Sequence, residues 1–395
     1  MDHSRQRVAI SLLVFSAVIF RAELAILLGS VGLHLLLTRR TTLRNLIVPC
    51  VVASAVALLV SVPIDSYFWQ TPIWPELWGF YYNVVQGSSS NWGVSPWHYY
   101  FTSAIPRIIL NPIGLAVLIP GALYFPATSR AARSLVVPSL LFVAIYSIQP
   151  HKETRFIFYV SPPLTAAAAL GASTLTTRAS KSATARLLTL VLVLSILATA
   201  AASSAMLIFS SLNYPGGDAI SYLQNTILPA ELAEPSHFRN IAVHADVLTC
   251  MTGLTLFGTN PHGLPKGTRE SGTLVEFDKT ENPTSLRDWR FWSRFEYLLH
   301  ESGEIPPGKW TTLATVEGLS GLEVLSPTDK DDHKSLTEAE LGGELVGKGK
   351  EVLFVKELVR TLTGGWWVGP RMEPRIRILR RVRERDIKLD GHLIP

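Results

Sequence analysis

Acidic residues are almost missing from the first half of this 395-residue chain. Residues 1–209 hold only Asp2, Glu23, Asp65, Glu76 and Glu153. The other 26 of 31 acids lie in 210–395, while Lys and Arg divide 14 and 22, so the halves carry +9 and −4 within the stated net +5. Charged residues make up 17% overall, against about 25% in ordinary soluble domains, and the deficit sits in one half. A water-soluble first half is thereby excluded. Cysteine is scarce as well: Cys50 lies inside an apolar run and Cys250 far from it, which rules out a disulfide framework or a Cys-based zinc site. No Asn-x-Ser/Thr sequon is present, since Asn282-Pro283-Thr284 carries the forbidden proline. Neither a Walker-type glycine loop nor a Gly-x-Ser-x-Gly elbow occurs, which removes cytosolic NTPase and hydrolase readings. The excess positive charge belongs to the apolar half, where orientation signals account for it, so nucleic acid is not an expected partner.

What is present is a membrane half followed by a soluble half. Seven apolar runs are marked: Val8–Phe20, Ala22–Leu37, Leu46–Val62, Ile108–Phe125, Ser134–Ile148, Phe156–Leu175 and Leu187–Phe209. Several are shorter than the ~20 residues an isolated span needs and require tilt, snorkelling flanks or packing in a bundle. The expected fold class is a polytopic α-helical membrane protein of about seven transmembrane helices over 1–209, with a C-terminal luminal α/β domain over 210–395. Arg5 and Arg7 precede the first run; Arg39, Arg40 and Arg44 follow the second, Arg130 and Arg133 the fourth, and Arg178, Lys181 and Arg186 the sixth. Strict alternation puts all ten on one side, which the positive-inside rule makes cytosolic. The opposite side receives the Arg21-Ala22-Glu23 turn, the loop 63–107, the loop 149–155 and the whole of 210–395. In that soluble half Ile241–Ala245 and Thr311–Leu325 alternate like strands, Glu351–Thr361 fits strand or helix, Arg375–Arg383 reads as a basic edge strand, and Asp329–Lys350 as a flexible insertion.

His151-Lys152-Glu153-Thr154-Arg155 puts four ionisable residues in a gap between two apolar runs. At a bilayer rim such charges must pair, meet water or hold a charged ligand. The 63–107 loop adds Asp65, Glu76 and five tryptophans, Trp69, Trp74, Trp78, Trp92 and Trp97, suiting either an interfacial belt or a platform for sugar rings. Sugar transfer from a phosphate-linked donor needs a carboxylate to take the acceptor proton and cations for the departing phosphate. Glu153 with Arg155, Lys152 and Arg107 supplies both ingredients; the same residues can equally pin two helix ends by pairing with one another. His151, Glu153 and Asp65 match no compact metal motif.

His151-Lys152-Glu153 followed by Arg155-Phe156, with Val62-Pro63-Ile64-Asp65-Ser66-Tyr67-Phe68-Trp69, Trp74-Pro75-Glu76, Ser90-Asn91-Trp92-Gly93-Val94-Ser95-Pro96 and Asn213-Tyr214-Pro215-Gly216-Gly217, resembles the endoplasmic-reticulum mannosyltransferases that use dolichyl-phosphate mannose. Within them the likeness is greatest to the branch forming the α-1,6 linkage of the eighth mannose on the lipid-linked N-glycan precursor, and the wider family includes relatives acting on GPI anchors. The resemblance covers essentially the whole chain. It implies a GT-C type fold in the endoplasmic-reticulum membrane, inverting transfer, a dolichyl-phosphate-mannose donor, a lipid-linked oligosaccharide acceptor, and no nucleotide sugar at the site; no cofactor or metal is expected. The donor phosphate is expected at His151, Lys152, Arg155 and Arg107, and the acceptor at Asp65, Trp69, Glu76, Asn91 and Trp92. In such proteins the catalytic acid stands in an earlier luminal loop, so the expectation here is an N-terminally truncated chain whose fallback bases are Asp65 and Glu153. An enzyme, a non-catalytic protein retaining the acceptor loops, and a GPI-anchor mannosyltransferase all remain compatible with the residues alone.

Overall fold

In a computed structural model the described residues are 3–177, 182–232, 240–255, 274–301, 303, 305–329 and 342–382. They form two compact units, Met1–Ser203 and Ser204–Pro395.

The first unit is helical. α1 (His3–Ile19), α2 (Leu24–Leu37) and α3 (Leu43–Trp69) pack around Ile10, Val14, Val18, Leu46, Ala53 and Ala57. Thr42 caps α3 by accepting from the Asn45 N–H, the ordinary way of satisfying a donor with no intrahelical partner. The expected loop 63–107 does not open at Pro63, because α3 runs through that proline to Trp69. α4 (Pro75–Phe80) follows, with a π-helical turn at Tyr81–Val85 and a 3-10 turn at Ser88–Trp92.

The run Ile108–Phe125 is broken rather than continuous. Tyr100–Ile109, which ends in α5 (Ile105–Ile109), and Gly114–Tyr124, which ends in α6 (Ile119–Tyr124), meet at 111°. Leu110 sits at the corner in a left-handed conformation (φ 49°). Backbone groups freed by a break at membrane depth must find other partners. Asn111 Oδ1 accepts from the Gly114 N–H at 2.8 Å and its amide donates to Ser195 Oγ at 3.3 Å, while Thr199 Oγ1 donates to the Leu110 carbonyl at 3.1 Å. Ser195 and Thr199 belong to α9 (Ala183–Ser211).

α7 (Pro126–Tyr146) and α8 (Ser161–Thr176) complete the bundle around Tyr100, Phe142, Val143, Ile157 and Leu164. At Gly171 of α8 a Cβ would fall 2.1 Å from the Leu118 carbonyl oxygen, so only glycine permits this crossing. Among the described residues four helices are long and apolar enough to cross a membrane, α3, α7, Thr154–Thr176 and α9, or five with the bent pair as one span. Seven spans are therefore not reached by length and composition: Val8–Phe20 and Ala22–Leu37 fall in helices of 17 and 14 residues.

Among the described residues the second unit is built on a six-stranded mixed sheet in the order β2-β1-β3-β6-β4-β5: β1 (Asn240–Ala245), β2 (Leu274–Asp278), β3 (Tyr297–Glu301), β4 (Trp310–Leu325), β5 (Glu344–Val346) and β6 (Trp367–Arg381). β1 lies parallel to β2 and β3, and β4 parallel to β5; β6 runs antiparallel to both β3 and β4. The expected edge strand at the C-terminal end is thus overturned, since β6 is hydrogen-bonded on both sides. Its Ile376, Ile378 and Leu379 are fully buried, and Arg381 lies over the Trp310 ring, donating to the Phe295 and Trp292 carbonyls. Of Asp329–Lys350, residues 330–341 lie outside the described residues; the remainder forms β5 and the start of a helix, Lys348–Leu362, which settles Glu351–Thr361 as helix.

α10 (Pro215–Tyr222) and α11 (Leu228–Leu232) precede the sheet, α12 (Val247–Thr252) follows β1, α13 (Pro283–Leu286) and α14 (Trp289–Trp292) lie between β2 and β3, and Lys348–Leu362 is α15. α10 and α12 approach closely at the Pro215-Gly216-Gly217 stretch. The Gly216 N–H donates to Thr252 Oγ1 at 2.9 Å, and a Cβ on Gly216 would lie 2.4 Å from the Thr249 carbonyl oxygen. Gly216→Val is expected to destabilise the sheet unit by roughly 2 kcal/mol or more through overpacking. Thermal unfolding of the detergent-solubilised variant checks this; an unchanged midpoint would refute the tight crossing.

Candidate functional site

The first unit holds a cavity of about 990 Å³ where the ends of α1 and α7, the start of α2, α4 and the residues after Gln149 converge. Its wall is chiefly apolar, with Val18, Ile26, Leu77, Phe80, Ile145 and Ile148 among its residues. The polar side chains that reach it include Arg21, Glu23, Glu76, Asn83, Gln149, His151, Glu153 and Arg155, beside the rings of Trp74, Trp92, Tyr146 and Phe156. The lining is that of a site for an amphiphile rather than for a fully polar solute.

The His-Lys-Glu segment is fixed from both sides of the chain. Gly93, in a conformation that side chains seldom adopt (φ 101°), turns its carbonyl toward His151 Nδ1 at 3.1 Å. The other ring nitrogen, Nε2, lies 3.1 Å from Glu153 Oε1. The Arg155 fork grips both oxygens of Glu153, Nη2 to Oε1 at 2.9 Å and Nε to Oε2 at 2.5 Å, the two-point geometry for which guanidinium is suited. Burial pushes the Glu153 carboxyl up, yet the hydrogen bonds from His151 and Arg155, with their charge, outweigh it and hold the group below the usual carboxylate range. A carboxylate so held is a poorer proton acceptor than a free one.

Lys152 does something else. It is 7% exposed and lies outside the cavity lining, with its ammonium donating to the Gln149 carbonyl at 2.6 Å and the Ser95 carbonyl at 3.0 Å. Burial depresses its pKa. The Ser95 N–H in turn donates to the Pro150 carbonyl at 3.0 Å, and the Gln149 amide donates to the Asn83 carbonyl and Ser89 Oγ. Here the ammonium ties the 149–155 segment to the 83–95 segment, and the expected contact with a donor phosphate finds no support in its position.

The remaining expected residues divide. His151, Glu153, Arg155, Glu76 and Trp92 come together at the cavity; Arg107, Asp65, Trp69 and Asn91 do not line it. Asp65 sits one turn from Ser61 on α3, whose hydroxyl donates to it at 2.5 Å. Arg107 lies exposed on α5, and Trp69 and Asn91 are exposed. Glu76, in the first turn of α4 behind the helix-starting Pro75, accepts the Ala22 N–H at 2.7 Å, while Trp74 Nε1 donates to the Val18 carbonyl at 2.9 Å. Among the described residues no three His, Cys, Asp or Glu side chains form a group able to hold a metal ion.

Two charged cavity residues are missed by the sequence reading, Arg21 and Glu23. Arg21 Nε donates to Glu23 Oε1 at 2.8 Å and the Tyr159 hydroxyl donates to the same oxygen at 3.3 Å. The available signal was their spacing: a carboxylate and a guanidinium two residues apart in a charge-poor half, repeating Glu153 and Arg155.

The sequence profile of the Alg9-like mannosyltransferase family matches residues 2–227, more than half of the chain, and includes every cavity residue. The chain belongs to the Alg9-like mannosyltransferase family. Its relatives include the probable Dol-P-Man:Man(7)GlcNAc(2)-PP-Dol alpha-1,6-mannosyltransferase of Schizosaccharomyces pombe, 37% identical over 80% of this chain and 54% of that protein. The Saccharomyces cerevisiae protein of that activity is 31% identical over 90% of this chain and 62% of its own length. GPI mannosyltransferase 3 of Candida glabrata is 31% identical over only 35% of this chain and 24% of that protein. The chain therefore spans little more than half the length of the first two relatives. No solved structure is significantly similar to it.

For this Alg9-like chain Lys152→Met tests the tie described above. Removing the ammonium strands two carbonyls in a buried setting, a loss of about 1–3 kcal/mol, so the variant should unfold at lower temperature in detergent. A variant as stable as the parent, but with weaker ligand binding, would return Lys152 to the ligand.

Proposed function

We propose that the chain acts as a mannosyltransferase of N-glycan precursor assembly, moving mannose from dolichyl-phosphate mannose in α-1,6 linkage to a seven-mannose lipid-linked oligosaccharide in the endoplasmic-reticulum membrane. The observation that carries this reading is the cavity itself, where His151, Glu153 and Arg155 meet Glu76 and Trp92 above an apolar wall, in a chain whose relatives bear those substrates in their names. In the reaction the acceptor oxygen bonds to C1 of mannose as the C1–phosphate bond breaks; its electron pair leaves on the phosphate and the hydroxyl proton passes to a base. Arg155, with the His151 ring beside it, is suited to the phosphate charge that develops, because a cation aimed at a forming anion in a partly dry site acts most strongly in the transition state. Trp92, 71% exposed, offers a face for a sugar ring. Glu23, Glu76 and Glu153 each already accept hydrogen bonds, and Asp65 lies outside the cavity, so the role of base is assigned to none of them.

Membranes carrying the protein, given dolichyl-phosphate mannose and the seven-mannose acceptor, should yield an eight-mannose product whose new linkage is cut by an α-1,6-specific mannosidase. Arg155→Ala should lower the rate on the order of 100-fold, as losing a charged contact of ~3 kcal/mol in the transition state requires. A product of another linkage, or none, would overturn the reading.

The same proposal includes seven membrane passages, with α1 and α2 as short ones, and a lumen-facing cavity. Its support is the basic set that includes Arg5, Arg7, Arg39, Arg40, Arg44, Arg130 and Arg133. Single cysteines at exposed Ser90 and exposed Arg44 should show opposite reactivity to an impermeant maleimide in sealed microsomes. Equal protection would refute the topology.

A further inference from the structure

We infer that Arg21 contacts the ligand, as the second arm of a two-arginine site for a phosphate anion that carries an apolar tail. This rests on the reading above and adds to it a residue on a different part of the fold. Arg21 comes from the turn between α1 and α2, more than a hundred residues before Arg155, yet both guanidiniums stand 5.6 Å from the centre of the same ring, Phe156. Bringing two cations to one ring beside a cavity is unfavourable unless negative charge accompanies them. Each has a carboxylate two residues away, Glu23 for Arg21 and Glu153 for Arg155. These carboxylates do more than neutralise: they hold the guanidiniums by part of their donor set, and a guanidinium has five N–H groups. Glu23 takes the Arg21 Nε hydrogen, and the Arg21 side chain remains 44% exposed at the cavity, that of Arg155 66%.

The turn that presents Arg21 is not free to drift. Glu76 holds the next N–H, that of Ala22; Trp74 holds the Val18 carbonyl at the end of α1; and the Tyr159 hydroxyl holds Glu23, whose side chain is 12% exposed. Such prior fixing lowers the entropy cost of gripping a ligand. Two forks suit the two unesterified oxygens of a phosphodiester. Beside them Val18, Ile26, Ile145 and Ile148 line the cavity, so the tail of the ligand that fits is a hydrocarbon chain, and the ligand class is a polyprenyl-type phosphate.

The test compares farnesyl phosphate with uncharged farnesol, by the thermal shift each gives the detergent-solubilised full chain. The parent should bind the phosphate at least tenfold more tightly than the alcohol. Arg21→Gln should lose most of that preference while keeping its affinity for farnesol, and Arg21→Lys should recover part of it; a purely structural Arg21 would weaken both ligands together or leave both unchanged, and either result overturns the inference. If Arg155→Gln abolishes the preference and Arg21→Gln keeps it, Arg21 is excluded while the proposed function stands. A parent without phosphate preference would overturn both.

Discussion

One ammonium organises the site. Lys152 donates to carbonyls on two separate segments, those of Gln149 and Ser95, and this charged tie reinforces the neutral ones, Ser95 to Pro150, Gln149 to Asn83 and Ser89, and His151 to Gly93, that join the tryptophan-bearing stretch to the His-Lys-Glu stretch. Main-chain polar groups away from water must be satisfied, and a buried cation must find acceptors; here each requirement answers the other. The result is a floor on which His151, Glu153 and Arg155 are set, with Lys152 itself not among the residues that line the cavity. Charge in this half is so scarce that a residue used for architecture is conspicuous in the sequence for the same reason a catalytic one would be.

That ambiguity explains how far the sequence could be read. The division into an apolar half and a mixed α/β half follows from where 26 acids lie, and β1 and β4 from strand-like alternation. The broken helix at Leu110 was hidden, because the apolar run Ile108–Phe125 begins inside the first limb and passes straight through the corner, which is held by Ser195 and Thr199, more than eighty residues away. β6 was misplaced for a related reason: alternating Arg and Ile describes one buried face, and says nothing of how many neighbours pair with the backbone. Within the site, Glu153 and Arg155 were legible as an isolated charge pair, and Arg21 and Glu23 had the same spacing. Arg107, Asp65, Trp69 and Asn91 were drawn in by their chemistry, and only the path of the chain separates them from the cavity.

The carboxylates of the cavity share a condition. Glu23, Glu76 and Glu153 come from three different elements, and each holds a neighbour in place: an arginine and a tyrosine, a backbone amide, an arginine and a histidine. Acids committed in this way shape the wall and set the local field, so the mixture of charges is closer to a rigid frame than to a set of titrating catalysts. The family profile ends at residue 227, before β1 begins.

The glycine at 171 has a consequence for the length of the chain. The α8 backbone touches the 114–124 limb there with no room for a side chain, and sixteen residues earlier the same stretch carries Arg155 at the cavity. Adding or deleting one residue between them would rotate everything beyond it by about 100°, turning a β-carbon into the Leu118 carbonyl or swinging the guanidinium away from Glu153. The interval is thus a gauge block: its composition can drift among apolar residues, but its count cannot.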